Sequence, residues 1–155
     1  MNYKENAEIV KKYLDEDDWN YDMDDRGNAI VFRGRVGVSK SVFSVFYFLV
    51  AVEDEVVQNF VSLPISARDK LAEVAEFITR VNYPLKYGRM DMDYGDGEVR
   101  YHICVPIEAV KTVPKETLEL VMKMPNTVLT KYGKGIADII FKDVDAKTAY
   151  EECEA

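Results

Sequence analysis

One histidine and two cysteines limit the chemistry this chain can carry. His102 stands in an alternating run from Val99 to Ile107, on the face opposite Tyr101 and Ile103. Cys104 follows on the same face of the expected strand, which puts the two side chains about 7 Å apart. Any Ser-His-Asp or Cys-His nucleophile would have to be built on this single imidazole. The simpler reading is a partly exposed strand residue. The second thiol, Cys153, lies at the C-terminal end. One histidine and two cysteines also fall short of a structural zinc site, which takes four such ligands.

Carboxylates are abundant, and one spacing approaches that of a calcium loop. Asp22-Met23-Asp24-Asp25-Arg26-Gly27 partly mimics an EF-hand loop, but Arg26 occupies the third ligand position and Arg33 stands where the bidentate Glu belongs. Asp91, Asp93 and Asp96 fall on the outward positions of a hairpin and its turn, which reads as a solvated face. No pair of acids is singled out for hydrolysis. Gly133-Lys134-Gly135 lacks the preceding strand and third glycine of a dinucleotide loop, and there is no P-loop sequence. Met90, Met92, Met122 and Met124 sit on element faces and read as core rather than as an adaptable binding surface. No catalytic, cofactor-binding or metal-binding residue is assigned, and the expectation is a non-enzyme without a cofactor.

Composition narrows the class of partner. The chain has 155 residues, 48% of them hydrophobic and 31% charged, as expected of one soluble globular domain spanning residues 1–155. Its net charge of −8 disfavours nucleic acid and anionic membrane surfaces, and suits a basic protein partner. The N-terminal segment lacks a secretory pattern, and the longest apolar run, Val42–Val52, is too short to span a membrane. Two widely separated cysteines suit a reducing compartment, so a cytoplasmic location is expected.

The elements that must position these residues follow from periodicity. Tyr3 to about Leu14 forms a first helix. The acidic run Asp15–Asp25 follows, with Trp19 and Tyr21 anchoring it to the core. Ala29 to Val36 forms a strand. Val42–Val52 is apolar on both sides: Val42, Phe46, Phe48, Val50 and Val52 on one, Phe43, Val45, Tyr47, Leu49 and Ala51 on the other. Such a strand is central, with both faces covered. Val56–Leu63 is the next strand, ended by Pro64.

Ser66 and Asp69 suggest a capping-box start to a helix carrying Leu71, Val74, Ala75, Ile78 and Val81 on one face. Pro84 stops it. Arg89–Tyr94 and Glu98–Ile107 alternate around Gly95-Asp96-Gly97, a hairpin signal. A helix beginning near Pro114 should be kinked or divided at Pro125. A last short helix, Ala146–Glu152, takes Asp145 as its N-cap. The class is α+β: an antiparallel five-stranded sheet packed with helices, in the order α-β-β-β-α-β-β-α.

That order resembles the YbjN family. The residues that carry the likeness are Phe77-Ile78-Thr79-Arg80-Val81-Asn82-Tyr83, Leu85-Lys86-Tyr87-Gly88, Met90-Asp91-Met92-Asp93-Tyr94, Asp96-Gly97-Glu98-Val99-Arg100-Tyr101, and the tail from Asp143 to Tyr150. The resemblance implies a fold like that of type III secretion chaperones, and a cytoplasmic, acidic, non-enzymatic protein that forms a homodimer. Members of that family are labelled sensory-transduction regulators. The chain departs from the pattern by carrying Pro125 inside its third long helix.

The expected function is therefore that of a protein-interaction or chaperone-like module. Its candidate surface is Phe43, Val45, Tyr47 and Leu49, with Asp15, Asp17 and Asp18 attracting a basic partner. The alternative is a small-molecule or metal-sensing domain, or a minor hydrolase using acidic residues near His102 and Cys104.

Overall fold

Alternating apolar residues build one six-stranded antiparallel sheet. The computed structural model describes residues 2–155. Helix α1 (Tyr3–Glu16) precedes strands β1 (Asp22–Asp25), β2 (Ile30–Gly37), β3 (Val45–Val52) and β4 (Val56–Ser66). A single 3-10 turn, Arg68–Lys70, leads into α2 (Leu71–Asn82). Strands β5 (Arg89–Met92) and β6 (Glu98–Pro106) follow, then α3 (Ile107–Thr112), α4 (Pro114–Lys142) and α5 (Ala146–Glu154). The spatial order is β1-β2-β3-β4-β6-β5, so β3 and β4 are central. The α+β class and the antiparallel sheet match the sequence reading, but there are six strands rather than five.

The extra strand is β1. All four of its residues are exposed, and three of them are aspartates, so it has no apolar alternation. It is held by pairing Asp22–Asp25 against Arg33–Ile30 at the sheet edge. Charged side chains on an edge strand also discourage further strand addition.

One face of the sheet carries Phe32, Phe46, Phe48, Val50, Val61 and Tyr101, all buried. The helices lie on this face and add Val10 and Leu14 from α1, Phe77 from α2, and Leu118, Leu129 and Ile136 from α4 to the same core. Trp19 and Tyr21 clamp the loop after α1 onto it. Their rings meet Phe48 and Phe32 edge-on, with centroids 5.2 Å apart in each case. Met90 and Met122 are buried, and Met92 and Met124 pack partly buried against the core, so these methionines belong to it.

Pro125 does not divide α4, which runs unbroken for 29 residues. A proline has no N–H to give to the carbonyl four residues earlier, here Val121. Asn59, fully buried on β4, supplies the missing donor: its Nδ2 lies 2.9 Å from the Val121 oxygen. The sheet thus repairs the helix at the point where the sequence weakens it. A second close fit lies further along α4. A Cβ on Gly135 would fall 2.5 Å from the Phe77 ring, so only glycine lets α2 and α4 approach this closely.

The turns also differ from expectation in detail. Ser66 does not cap α2, which starts at Leu71 without a side-chain cap. Its hydroxyl instead accepts the Arg68 N–H and donates to the Asp96 carbonyl, joining the β4–α2 corner to the β5–β6 turn. Gly97, at φ +77°, sits against that corner where no side chain fits. Tyr94 lies in this turn and is exposed. Pro64 does not end β4. It stands between Ser62 and Ser66, where the pairing with β6 shifts register, a position that needs no ladder donor. Asp145 caps α5 as expected, its Oδ1 accepting the Thr148 N–H at 2.9 Å.

Candidate functional site

The second face of the sheet has no helix over it among the described residues. Side chains on it follow from the register. Arg33, Leu49, Phe60 and His102 stand across β2, β3, β4 and β6 in one row, and Arg35, Tyr47, Ser62 and Arg100 in the next. All of these but His102, which lies beneath Phe60, border a shallow groove of about 650 Å³, with Asp22 and Glu98 also in its lining. Its floor is aromatic and aliphatic. Tyr47 is 46% exposed, while Leu49 and Phe60 are half-buried.

Phe60 organises the β4–β6 half of the floor. Its ring stacks on His102 with centroids 4.4 Å apart and planes 3° from parallel. The Arg100 guanidinium lies 4.5 Å from the same ring, in cation–π range. Asp91 steadies the arginines of this half, 2.9 Å from Arg89 and 3.6 Å from Arg100. Arg33 and Arg35, across the groove on β2, are exposed and form no ion pair with any described residue.

His102 is buried, not partly exposed as expected for an alternating strand residue, because Phe60 covers one face of the ring. Its Nε2 lies 2.8 Å from Oε1 of Gln58, an acceptor, so Nε2 carries the proton and donates. Nδ1 is buried without a partner. Burial, and then Arg89, push the imidazole pKa below its ordinary value, and it stays neutral at pH 7. Cys104 lies on the same face, exposed, and burial of its sulfur followed by Glu53 pushes the thiol pKa up. A thiolate–imidazolium pair therefore has neither ion at neutral pH.

The predicted surface residues divide. Val45, Tyr47 and Leu49 lie on the uncovered face, as their alternation requires. Phe43 does not. The chain bends over residues 41–44 before β3 begins, and the Phe43 ring turns inward beside Gly133 of α4. It is buried, while Val42, expected inside, is 57% exposed. Helices of the chain cover only one face of this central strand, so the other face would take its cover from outside the chain.

Asp15, Asp17 and Asp18 do not join the groove. They close the end of α1, and Asp17 and Asp18 line a separate depression that also takes in Arg35 at the sheet edge. Asp15 accepts from Lys11 at 2.8 Å and from the Tyr21 hydroxyl at 2.6 Å, which hold its pKa below the usual carboxylate range. Asp17 is held low first by the Trp19 indole N–H at 2.9 Å and then by Lys123. Asp18 makes the exit turn at φ +59°. The calcium-like segment is the extended strand β1, in which Asp25 accepts the Gly27 N–H and the Tyr3 hydroxyl. In the hairpin turn Asp93 and Asp96 accept backbone N–H groups from Gly95 and Glu98. Among the described residues, no group of three or more His, Cys, Asp or Glu side chains is placed to hold a metal ion.

Sequence reasoning missed Arg33, Arg35, Phe60 and Arg100. A signal was present for the first two: in Ile30–Gly37 they occupy the positions that alternate with Phe32 and Gly34. Phe60 alternates likewise with Asn59 and Val61. No helix of the described chain is long and apolar enough to cross a membrane. Scans against family models, curated proteins and solved structures each return no match. The likeness to the YbjN family rests on the sequence pattern alone.

Proposed function

We propose that this protein is a non-catalytic, cytoplasmic interaction module that receives a protein partner on the uncovered sheet face, in keeping with its resemblance to YbjN-type sensory-transduction regulators. The observation that carries this reading is the groove over β2, β3, β4 and β6. Tyr47, Leu49 and Phe60 there present apolar surface at the centre of the sheet, where the other face is fully packed. A chaperone-like module needs such a surface. Asp15 and Asp17 are engaged within the chain by Lys11, Tyr21, Trp19 and Lys123, so this reading places the main contact on the sheet face rather than on them.

The test is a comparison of interactomes. Tagged wild-type protein and a Tyr47→Asp/Leu49→Asp variant, matched for melting temperature, are used to capture partners from the native cell. The proposal predicts a partner held by the first and lost by the second. An identical set from both would remove the face from consideration.

The volume of the groove lies within the range of small-molecule sites, which favours a sensor of small ligands as the second reading. A thermal-shift screen against metabolites and metals separates the two. A ligand that stabilises the wild type but not the variant would favour the sensor.

A further inference from the structure

The groove is unusual for its charge. The chain carries −8 overall, yet four of its arginines, Arg33, Arg35, Arg89 and Arg100, stand on this one sheet face. Arg89 and Arg100 are answered by Asp91. Arg33 and Arg35 are not answered by any ion pair among the described residues. They occupy alternate positions of β2, so their side chains emerge on the same side about 7 Å apart. On β3 their direct cross-strand neighbours are Leu49 and Tyr47, which form the floor, while on β1 Asp22 stands opposite Arg33 without reaching ion-pair distance. A guanidinium is a planar fork of donors suited to carboxylates, and both forks here are free.

We infer that the groove takes an acidic peptide segment of a partner protein, with an apolar side chain seated on Tyr47, Leu49 and Phe60 and flanking carboxylates held by Arg33 and Arg35. This rests on the interaction-module reading above and reverses the sign of the partner expected from net charge. Global charge and local charge act at different stages. Asp22, Asp91 and Glu98 also stand on this face, but the four arginines outnumber them, so the face is locally basic while the remainder of the surface is acidic in sum. The same remainder repels an extended polyanion, which disfavours nucleic acid. The groove is also open and crosses four strands, a span of about 14 Å at ordinary strand spacing, which suits a peptide better than a compact ligand.

The test uses the full chain and short fluorescein-labelled peptides followed by fluorescence anisotropy. One peptide carries a Leu-Phe pair between runs of Glu. In the second Lys replaces Glu, and in the third Ser replaces Leu and Phe. The expected result is saturable binding of the first peptide, weakened at least about ten-fold by Arg33→Glu/Arg35→Glu and weakened by added salt. Both substituted residues are exposed and unpaired, so the variant keeps the wild-type melting temperature, and a lower one is answered by repeating the measurement with Arg33→Gln/Arg35→Gln. The third peptide should bind weakly.

Equal or tighter binding of the Lys peptide, lost in Tyr47→Asp/Leu49→Asp, would overturn the acidic partner while leaving the docking face in place. No effect of either pair of substitutions on any peptide would overturn both. Sedimentation that shows a dimer dissolved by Arg33→Glu/Arg35→Glu would overturn the peptide in favour of a second copy of this chain.

Discussion

The two faces of this sheet use the same strands and nearly the same residue types to opposite ends. On β3, Phe46, Phe48 and Val50 are buried under helices, while Tyr47 and Leu49, one residue out of step, remain in reach of solvent. On β4, Asn59 is a polar residue at the centre of the packed face, and Phe60 is an aromatic at the centre of the open one. Hydrophobicity alone does not distinguish the faces. What distinguishes them is that helices cover one, and that on the other the β2–β3 half lacks the fixed partners that the β4–β6 half has. Asn59 answers a particular carbonyl of α4, whereas Tyr47, Arg33 and Arg35 answer nothing within the chain. The packed face is committed to stability and the open face is left available.

That contrast is broken most severely from the packed side. Phe46→Ala removes a fully buried ring and should cost about 4 kcal/mol, read as a loss of melting temperature and denaturation midpoint. A change within experimental error would mean that the core under the helices is loose.

The polar centre of that face comes next. Asn59→Ala should cost about 2 kcal/mol by leaving the Val121 carbonyl without a donor. In a Pro125→Ala background the helix recovers its own N–H, and the same substitution should cost about 1 kcal/mol less. A double-mutant cycle in urea measures this, and additive effects would deny the repair.

A smaller effect tests the boundary residue His102. Its pKa is lowered in the folded state, so between its ordinary value of about 6.5 and that lower value the unfolded chain binds more protons than the folded one. Stability is therefore retained above about pH 6.5 and declines as pH falls through this window, by less than about 1.4 kcal/mol per pH unit. As the only histidine, it should account for the slope there, and His102→Gln should flatten it. The paired carboxylates Asp15, Asp17 and Asp145 act below their ordinary range and do not contribute to that slope.

The smallest effect belongs to the open face. Tyr47→Ser should alter stability by no more than about 0.5 kcal/mol. A loss comparable with that of Phe46→Ala would mean that the face is structural after all.

Much of this architecture was legible because local rules acted alone. The Leu71–Asn82 helix, the hairpin around Gly95–Gly97 and the Asp145 cap each follow from spacing and turn chemistry within a few residues. What escaped depended on distant partners. Strand β1 has no apolar pattern, because pairing with β2 rather than burial holds it. Phe43 continues the alternation of β3 in sequence, yet the bend before Val45 turns it toward α4. His102 reads as exposed by period, and only the ring opposite it on β4 makes it buried. For the candidate site, alternation placed Val45, Tyr47 and Leu49 correctly. It could not show that no helix lies over them, nor that Arg33 and Arg35 are unpaired while Asp15 and Asp17 are paired.

The bond from Asn59 to Val121 links residues 62 positions apart, and this has a consequence for how the chain reaches its native state. Before β4 is in place, α4 has a missing rung at Pro125, and the segment ahead of it, Pro114–Met124, is too short to persist as a helix in water on its own. The rung closes only when the central sheet docks. The longest helix therefore matures late, as a product of long-range assembly rather than its seed, which couples the slow search for strand pairing to the final cooperative step.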